Sequence, residues 1–214
     1  MQNPTFSVII VNYNGGHYLH DAVQSLTQQT FRDFELIVLD NASTDGSADT
    51  LDLSEFPSAR LVKMDDNLGF AAANNLGARL AKGRWLALLN PDAVAAPDWL
   101  HQVVLANRRH PECRVFASAQ YNAQDPDKID GAGDAYLIMG VPWRGGYGHH
   151  RTAMPGEGEC FSPCGAAAIM DRELFLTHNG FDERFFCYCE DVDLGFRFQL
   201  AGEACWFLPN AKVY

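Results

Sequence analysis

The chain has 214 residues, 47% of them hydrophobic, enough to bury a full core within one domain. Its 27 acidic residues against 16 basic ones leave a formal net charge of -11, which argues against nucleic acid as a partner, because binding a phosphate backbone needs a concentrated basic surface. No apolar run approaches the roughly 18 residues of a membrane span, and no signal peptide precedes the first apolar run, so the cytoplasm is the expected compartment.

Phe6 to Val11 (FSVIIV) is a nearly continuous apolar run, as a strand buried on both faces should be. Asn12-Tyr13-Asn14-Gly15-Gly16 breaks it with loop formers, and Leu19, Ala22, Val23 and Leu26 then recur with helical period from Tyr18 to Gln29. A second strand, Phe34 to Leu39, ends on a polar segment, Asp40 to Ser47, whose side chains predict a capped helix from Ser47 to Leu53. A third strand is expected near Arg60 to Met64, followed by a small-residue helix from Phe70 to Ala81 that closes at Lys82-Gly83. Trp85 to Leu89 reads as the fourth strand and runs into Asn90-Pro91-Asp92. Pro97 then opens a helix from Asp98 to Arg109, and another strand lies near Val115 to Ala119.

Strands alternating with helices across short polar loops predict an α/β fold with a mostly parallel sheet. Its site is expected beyond the carboxyl ends of the strands, where Tyr13/Asn14, Asp40 and Asp92 stand. The second half is less regular. Gly131 to Gly165 reads as a long functional or mobile loop with Trp143, Tyr147, His149 and His150 interleaved. Either aromatic can pack on the apolar face of a sugar, whereas the paired histidines read as solvated. Gly165 to Met170 predicts a strand, Asp171 a cap for a helix through Leu176, and Cys205 to Leu208 the last strand. Neither Cys160-x3-Cys164 nor Cys187-x-Cys189 has zinc-knuckle spacing, so buried reduced thiols are expected.

Glu190, Asp191 and Asp193 fall within four residues, behind the aromatic and thiol run Phe185 to Cys189. Val192, Phe196 and Leu200 recur at i, i+4, i+8, and Leu194 with Phe198 makes a second apolar row, so the acids occupy the first turn of a helix. Acids there are favoured by the helix dipole for stability alone. Beside poorly hydrated side chains, one of them can instead acquire a raised pKa and act as a general base. Asp193 and Arg197, at i, i+4, read as a helix salt bridge. A carboxylate at a strand end, such as Asp92, can ligate Mg2+ or Mn2+, hard ions that keep waters and bridge substrate phosphates. Metal-assisted departure of a diphosphate and base-assisted attack by a hydroxyl together describe group transfer from a nucleotide-activated donor. Plainer readings remain open: Asp40 can cap the turn that follows it, and Asn-Pro-Asp is itself turn chemistry.

SVIIVNYNGG (7–16), VLDNASTDGS (38–47), NLGFAAANNLGARLAKGRWLALLNPDA (67–93), CGAAAIMDRELF (164–175) and GFDERFFCYCEDVDLGFR (180–197) appear in this order. Through them the chain resembles glycosyltransferase family 2, the inverting transferases of GT-A type fold, from Ser7 to Tyr214. The wording is most similar to the branch that includes rhamnosyltransferases of cell-surface polysaccharide assembly. The resemblance implies a single GT-A domain over 1–214, with a nucleotide-sugar-binding half (1–119) and an acceptor-side half (120–214). It implies that Val11, Tyr13 and Asn14 line the nucleobase and ribose, that Asp40 bonds the base, and that Asn67, Gly69 and Asn74 pass beside the donor. Asp92 matches the last acid of the Asp-x-Asp metal motif, Asp191 the catalytic base, and Glu190 its supporting neighbour. The implied donor is a dTDP-, UDP- or GDP-sugar, with rhamnose suggested by the motif wording. The implied acceptor is a hydroxyl of a saccharide or lipid-linked saccharide, met at the inner face of the cell membrane.

Three departures qualify that pattern. Asn90 stands where the first acid of Asp-x-Asp belongs, so a Mg2+ or Mn2+ ion is expected to bind weakly and to be completed by the donor diphosphate. Asn74 replaces an arginine that could contact phosphate. Relatives also continue beyond a segment like Lys212-Val213-Tyr214 into a histidine that approaches the metal. The chain is therefore expected to be truncated at its C-terminus, without that ligand or a segment for peripheral membrane association. Two alternatives follow: a non-catalytic nucleotide-sugar or carbohydrate-binding module, and a sugar nucleotidyltransferase. The second needs a basic glycine-rich loop, and Asn12 to Gly16 holds no Lys or Arg.

Overall fold

Phe6–Asn12 (β1), Phe34–Asp40 (β2), Ala59–Lys63 (β3) and Trp85–Leu88 (β4) form the parallel half of a nine-stranded sheet in the computed structural model, which describes residues 3–214. Helices α1 (Gly16–Thr27), α2 (Gly69–Leu80) and α3 (Trp99–Arg109) punctuate them. The second half adds β5 (Val115–Tyr121), β6 (Ile129–Ala132), β7 (Asp134–Leu137), β8 (Val141–Arg144), β9 (Gly158–Cys160), β10 (Ala168–Asp171), α4 (Arg172–Thr177), α5 (Glu190–Leu200) and β11 (Cys205–Val213). The sheet order is β3-β2-β1-β4-β10-β5-β11-β9, with β6 beside β5. β10 is antiparallel to both β4 and β5, so β5 and β11 keep the direction of β1 to β4. The fold is therefore the mostly parallel α/β sheet flanked by helices that the strand pattern predicts.

Each face of the sheet carries a core. Leu19 and Leu26 of α1 and Trp99 and Val103 of α3 pack with Val8, Ile10 and Leu36 on one face. Ala71 and Ala78 of α2, Phe175 of α4, and Leu194 and Phe198 of α5 pack with Ile9, Ile37 and Leu86 on the other. The small residues of α2 have a physical cause. A Cβ at Gly77 would stand 2.8 Å from Ile9 Cγ2 and 2.9 Å from Leu39 Cδ1, so this helix backbone lies almost on the strands.

Four local expectations are corrected, and a choice between two apolar rows on α5 is decided. Ser47 to Leu53 is turn and coil rather than helix, because Asp45 Oδ1 accepts from both the backbone N–H (3.0 Å) and the hydroxyl (2.7 Å) of Ser47 and closes a local turn instead. The stretch from Gly131 to Gly165 is not one loop: it holds the β7–β8 hairpin and the edge strand β9. The last strand continues through Pro209 to Val213, with an irregular register between Leu208 and Lys212 that accommodates the missing N–H. On α5 the buried row is Leu194 and Phe198, while Phe196 and Leu200 face outward. Gly195 sets that rotation, since a Cβ there would lie 2.3 Å from Ser162 Cβ. Finally, all six cysteines are free, but Cys187 and Cys189 are exposed rather than buried.

Candidate active site

β1 and β2 pair with Asn12 opposite Asp40, so the loops that follow leave the sheet side by side. Amides stitch them together. Asn12 Nδ2 donates to Asp40 Oδ1 (2.9 Å) and Ser43 Oγ (3.0 Å), and Asn14 Oδ1 accepts from Thr44 N (2.8 Å). Asn41 reaches across to the start of α2, accepting from Leu68 N (2.9 Å) and donating to Gly69 O (3.1 Å). Beyond these strand ends opens a cleft of about 710 Å3, with Val11, Tyr13, Asn14, Asn67 and Gly69 on its wall. Asn90 and Asp92, after β4, line the same cleft. Asp40 and Asn74 do not join them. Asp40 is buried beneath Asn12, and Asn74 is buried with its Nδ2 bonded to Phe70 O (3.0 Å) inside its own helix. Asn41, the neighbour of Asp40, lines the cleft in its place.

The second part of the site begins with strain. Phe186, Tyr188 and Cys189 have φ of 59°, 74° and 69°, left-handed values for residues with side chains, each costing on the order of 1–3 kcal/mol. Phe186 O accepts from Ala71 N (3.1 Å), and only glycine fits at position 69 (φ +80°), where a Cβ would stand 2.6 Å from that same carbonyl oxygen. This run delivers Glu190 and Asp191 to the first turn of α5, and their carboxylates do more than serve the helix dipole. Cys189 is the N-cap residue and makes no side-chain cap. Asp191 Oδ2 accepts from Gly165 N (2.7 Å) and Oδ1 from Val192 N (2.8 Å). Glu190 is only 4% exposed, and its Oε2 has no hydrogen-bond partner among the described residues. Burial, reinforced by the charge of Asp191, pushes its carboxyl up to about 7. Asp193 bonds Arg197 (2.8 Å), as its spacing predicts.

Glu190 and Asp191 line a pocket of about 280 Å3 together with Trp143, Arg144, Cys164 and Asp134. Sequence reasoning missed Asp134 and Arg144, because a lone acid in Gly-Ala-Gly-Asp and a lone arginine beside Gly-Gly carry no spacing signal. Burial, and next the charge of Asp191, pushes the Asp134 carboxyl up to about 7 as well. Tyr147, His149 and His150 are exposed and outside the residues that line this pocket. The pocket and the larger cleft meet at Phe70, Asn90, Cys187 and Tyr188. Backbone bonds tie the two loci: Asn90 N donates to Ala166 O (2.9 Å), one residue beyond the Gly165 N–H that holds Asp191. A hollow of about 930 Å3 lies at the opposite end of the sheet, against Thr5, Gly83 and Arg172, and contains none of these groups.

Asp92 is exposed on the cleft wall with Asn90 close by in sequence. Among the described residues, no group of three or more His, Cys, Asp or Glu side chains is arranged to hold a metal ion by itself. One carboxylate and one amide oxygen suit a hard cation that keeps its waters and takes further ligands from substrate phosphates. The chain end packs behind this loop, with Val94 N donating to Tyr214 O (2.7 Å).

The profile of glycosyl transferase family 2 matches residues 7–177. The chain belongs to that family. It is 30% identical to an N-acetylglucosaminyl-diphospho-decaprenol L-rhamnosyltransferase of Mycobacterium tuberculosis, over 96% of this chain and 74% of the relative. It is 31% identical to the O-antigen biosynthesis protein RfbC of Myxococcus xanthus, over 93% of this chain but 16% of that much longer protein. Among solved structures, the mannosyltransferase PcManGT from Pyrobaculum calidifontis, in complex with GDP-Man and Mn2+, superposes with a TM-score of 0.71 at 21% identity, over all of this chain and 57% of its own. TarS of S. aureus gives the same TM-score at 18% identity, over 98% of this chain and 36% of its own. The chain therefore spans about three quarters of its rhamnosyltransferase relative and a smaller share of the solved structures, whose likeness establishes the GT-A fold. The profile match ends before α5, so the Glu190–Asp191 pair rests on the geometry above.

Proposed function

We propose that this chain is the catalytic domain of an inverting, metal-assisted glycosyltransferase. It would move a sugar, with rhamnose the leading candidate, from a nucleoside diphosphate to a hydroxyl of a saccharide or lipid-linked saccharide during cell-envelope polysaccharide assembly. One observation carries this reading: the cleft containing Asp92 and the pocket containing Asp191 share a wall at Asn90 and Tyr188, and Asn90 and Asp191 are tied to the same turn, Gly165–Ala167. A donor lying along Val11, Tyr13, Asn14, Asn67 and Gly69 has its diphosphate directed toward Asn90 and Asp92. Its anomeric carbon then meets the pocket. The acceptor enters from the opposite side, where Asp191, aligned by the Gly165 N–H, takes the hydroxyl proton as the new bond forms. Attack from one cleft and departure into the other inverts the anomeric configuration. Asp92 and Asn90 would hold the Mg2+ or Mn2+ ion, which when bound offsets charge on the departing diphosphate. The relative named for a diphospho-decaprenol acceptor supports a lipid-linked substrate, which this chain would meet at the inner face of the membrane. No helix among the described residues is long and apolar enough to cross a membrane.

A second reading has its own observation. Glu190 is buried, its Oε2 has no partner among the described residues, and its carboxyl is raised to about 7, so it is matched to accept a proton near neutrality. Transfer assays on Asp191→Asn and Glu190→Gln separate the two readings, with donor binding followed by thermal shift across dTDP-, UDP- and GDP-sugars with and without Mn2+. Loss of transfer with donor binding kept is expected for Asp191→Asn. Full activity in that variant, with none in Glu190→Gln, would transfer the role to Glu190. Absence of any donor shift in the unmodified protein would sink the functional reading itself.

A further inference from the structure

The pocket beside Asp191 contains more carboxyl groups than proton abstraction needs. Asp134, at the start of β7, is 8% exposed, and its one side-chain bond among the described residues is a long contact from Ser162 Oγ to Oδ2 (3.4 Å). Its cross-strand partner in the hairpin is Arg144, yet that guanidinium turns elsewhere, to Asp130 Oδ2 (2.8 Å) and Cys164 Sγ (3.3 Å). Asp134 is thus not the anchor of a salt bridge. Glu190 Oε2, on the same pocket wall, has no partner among the described residues although the side chain is nearly all buried. Two buried carboxylates with unused acceptor capacity are costly to keep. They are not a metal site, since no three acids here are arranged around a common point. A ligand with hydrogen-bond donors of its own would use that capacity, and on the glycosyl-transfer reading those donors are sugar hydroxyls.

We propose that Asp134 is a specificity-determining residue that accepts a hydrogen bond from a second hydroxyl of the acceptor sugar, adjacent to the hydroxyl that Asp191 deprotonates, with Glu190 Oε2 available to the same ring. The acceptor class is therefore a sugar with a free vicinal diol at the reacting edge, rather than one whose neighbouring hydroxyl is substituted. This rests on the glycosyl-transfer reading of the pocket. A polyol fits the site chemically because each hydroxyl donates to one carboxylate, while a hydrocarbon would leave both buried charges unpaired. Asp134 is distinct from the donor machinery, because it lines the small pocket and not the Asp92 cleft.

The test uses methyl glycosides of glucose, N-acetylglucosamine, galactose and rhamnose as acceptor probes, with the monodeoxy analogues of whichever is used best. Asp134→Asn should raise the acceptor KM about tenfold, the effect of exchanging a charged acceptor for a neutral amide oxygen. Its kcat, donor affinity and acceptor-free donor hydrolysis should change less than about threefold. One monodeoxy acceptor should cost the unmodified protein at least that factor and cost Asp134→Asn clearly less. Thermal unfolding at pH 8 should show Asp134→Asn at least as stable as the unmodified protein, which a merely structural role would not allow. Binding of the same probes, read by fluorescence of the exposed Trp143 in β8, supplies a readout independent of turnover. An unchanged acceptor KM and unchanged probe binding in Asp134→Asn overturn the assignment while leaving the donor reading intact. Failure of every nucleotide sugar to bind overturns the functional reading instead, and probe binding then decides Asp134 alone.

Discussion

The two walls of the site are built in opposite ways. On the donor side, Asn12, Asn14 and Asn41 satisfy one another's loops with neutral amide bonds, and the acids Asp40 and Asp45 both have close partners. On the acceptor side, Glu190 and Asp134 are buried and under-bonded, and three residues with left-handed φ precede α5. On the proposed reading a nucleoside diphosphate brings its own charge and cation, and its cleft supplies shape, amide groups and the single carboxylate of Asp92. Moving a proton needs a group whose ionisation is set by its surroundings, and such a group costs stability wherever it is placed. The difference is the one the proposed chemistry requires of its two walls.

The sharpest way to break that contrast is at Asp191. Asp191→Asn should lower kcat by about 10²- to 10⁴-fold, the usual contribution of a general base, while thermal shifts with nucleotide sugars stay as they were. A variant that loses donor binding in proportion would show that the two walls are one unit. Next in size is Glu190→Gln. The folded protein holds this proton up to about 7 against an ordinary value of 4.5. Between those values the folded state binds more protons than the unfolded state, so stability should fall as pH rises from about 4.5 to 7 and level off above that. Glu190→Gln should flatten that slope and gain on the order of 1–3 kcal/mol at pH 8, seen in urea melts at pH 5, 6, 7 and 8. Asp134 contributes a residual slope of the same sign. Parallel melting curves for the variant and the unmodified protein would remove the case for a stored charge at Glu190.

Much of the larger cleft's lining is legible in the sequence because its residues follow apolar runs. Val11, Tyr13, Asn14, Asn90 and Asp92 sit at strand ends, and a strand buried on both faces is hard to misread. Asp40 and Asn74 lie buried outside the cleft lining for a shared reason: sequence position gives the strand end or helix turn, but not which neighbouring group a side chain will bond. The acceptor wall was half legible. Periodicity gave α5 and its acids but named the outward row first, since only tertiary contact at Gly195 and Ser162 decides the rotation. The β7–β8 hairpin was hidden, because Asp134 and Arg144 become neighbours only through strand register.

Asp92→Asn addresses the donor wall with a smaller effect. With Asn90 already neutral, this change leaves no carboxylate among the matched pair, and the Mn2+ concentration giving half-maximal activity should rise by at least about tenfold, a scale typical even for outer-shell partners of a ligand. Activity independent of added metal, and equal in both proteins, would remove the cation from the mechanism. The acceptor pH dependence should not move, because Asp92 lies in the other cleft.

The smallest expected effect concerns the third acid of the α5 turn. Asp193 is partly exposed and bonds Arg197 at 2.8 Å, but Arg197 also donates to His178 O (2.6 Å) and Gly180 O (2.7 Å). Those two carbonyls hold the guanidinium whether or not Asp193 is charged. Asp193→Asn should therefore cost only a few tenths of a kcal/mol, as partly exposed i, i+4 pairs do, and should leave acceptor KM and kcat unchanged. Three acids in four residues would then have three separate fates, set by what each meets in space: a backbone N–H for Asp191, burial for Glu190, and an arginine already held for Asp193. A change in acceptor KM in Asp193→Asn would place this residue in the pocket with its neighbours and extend the strained wall by one more charge.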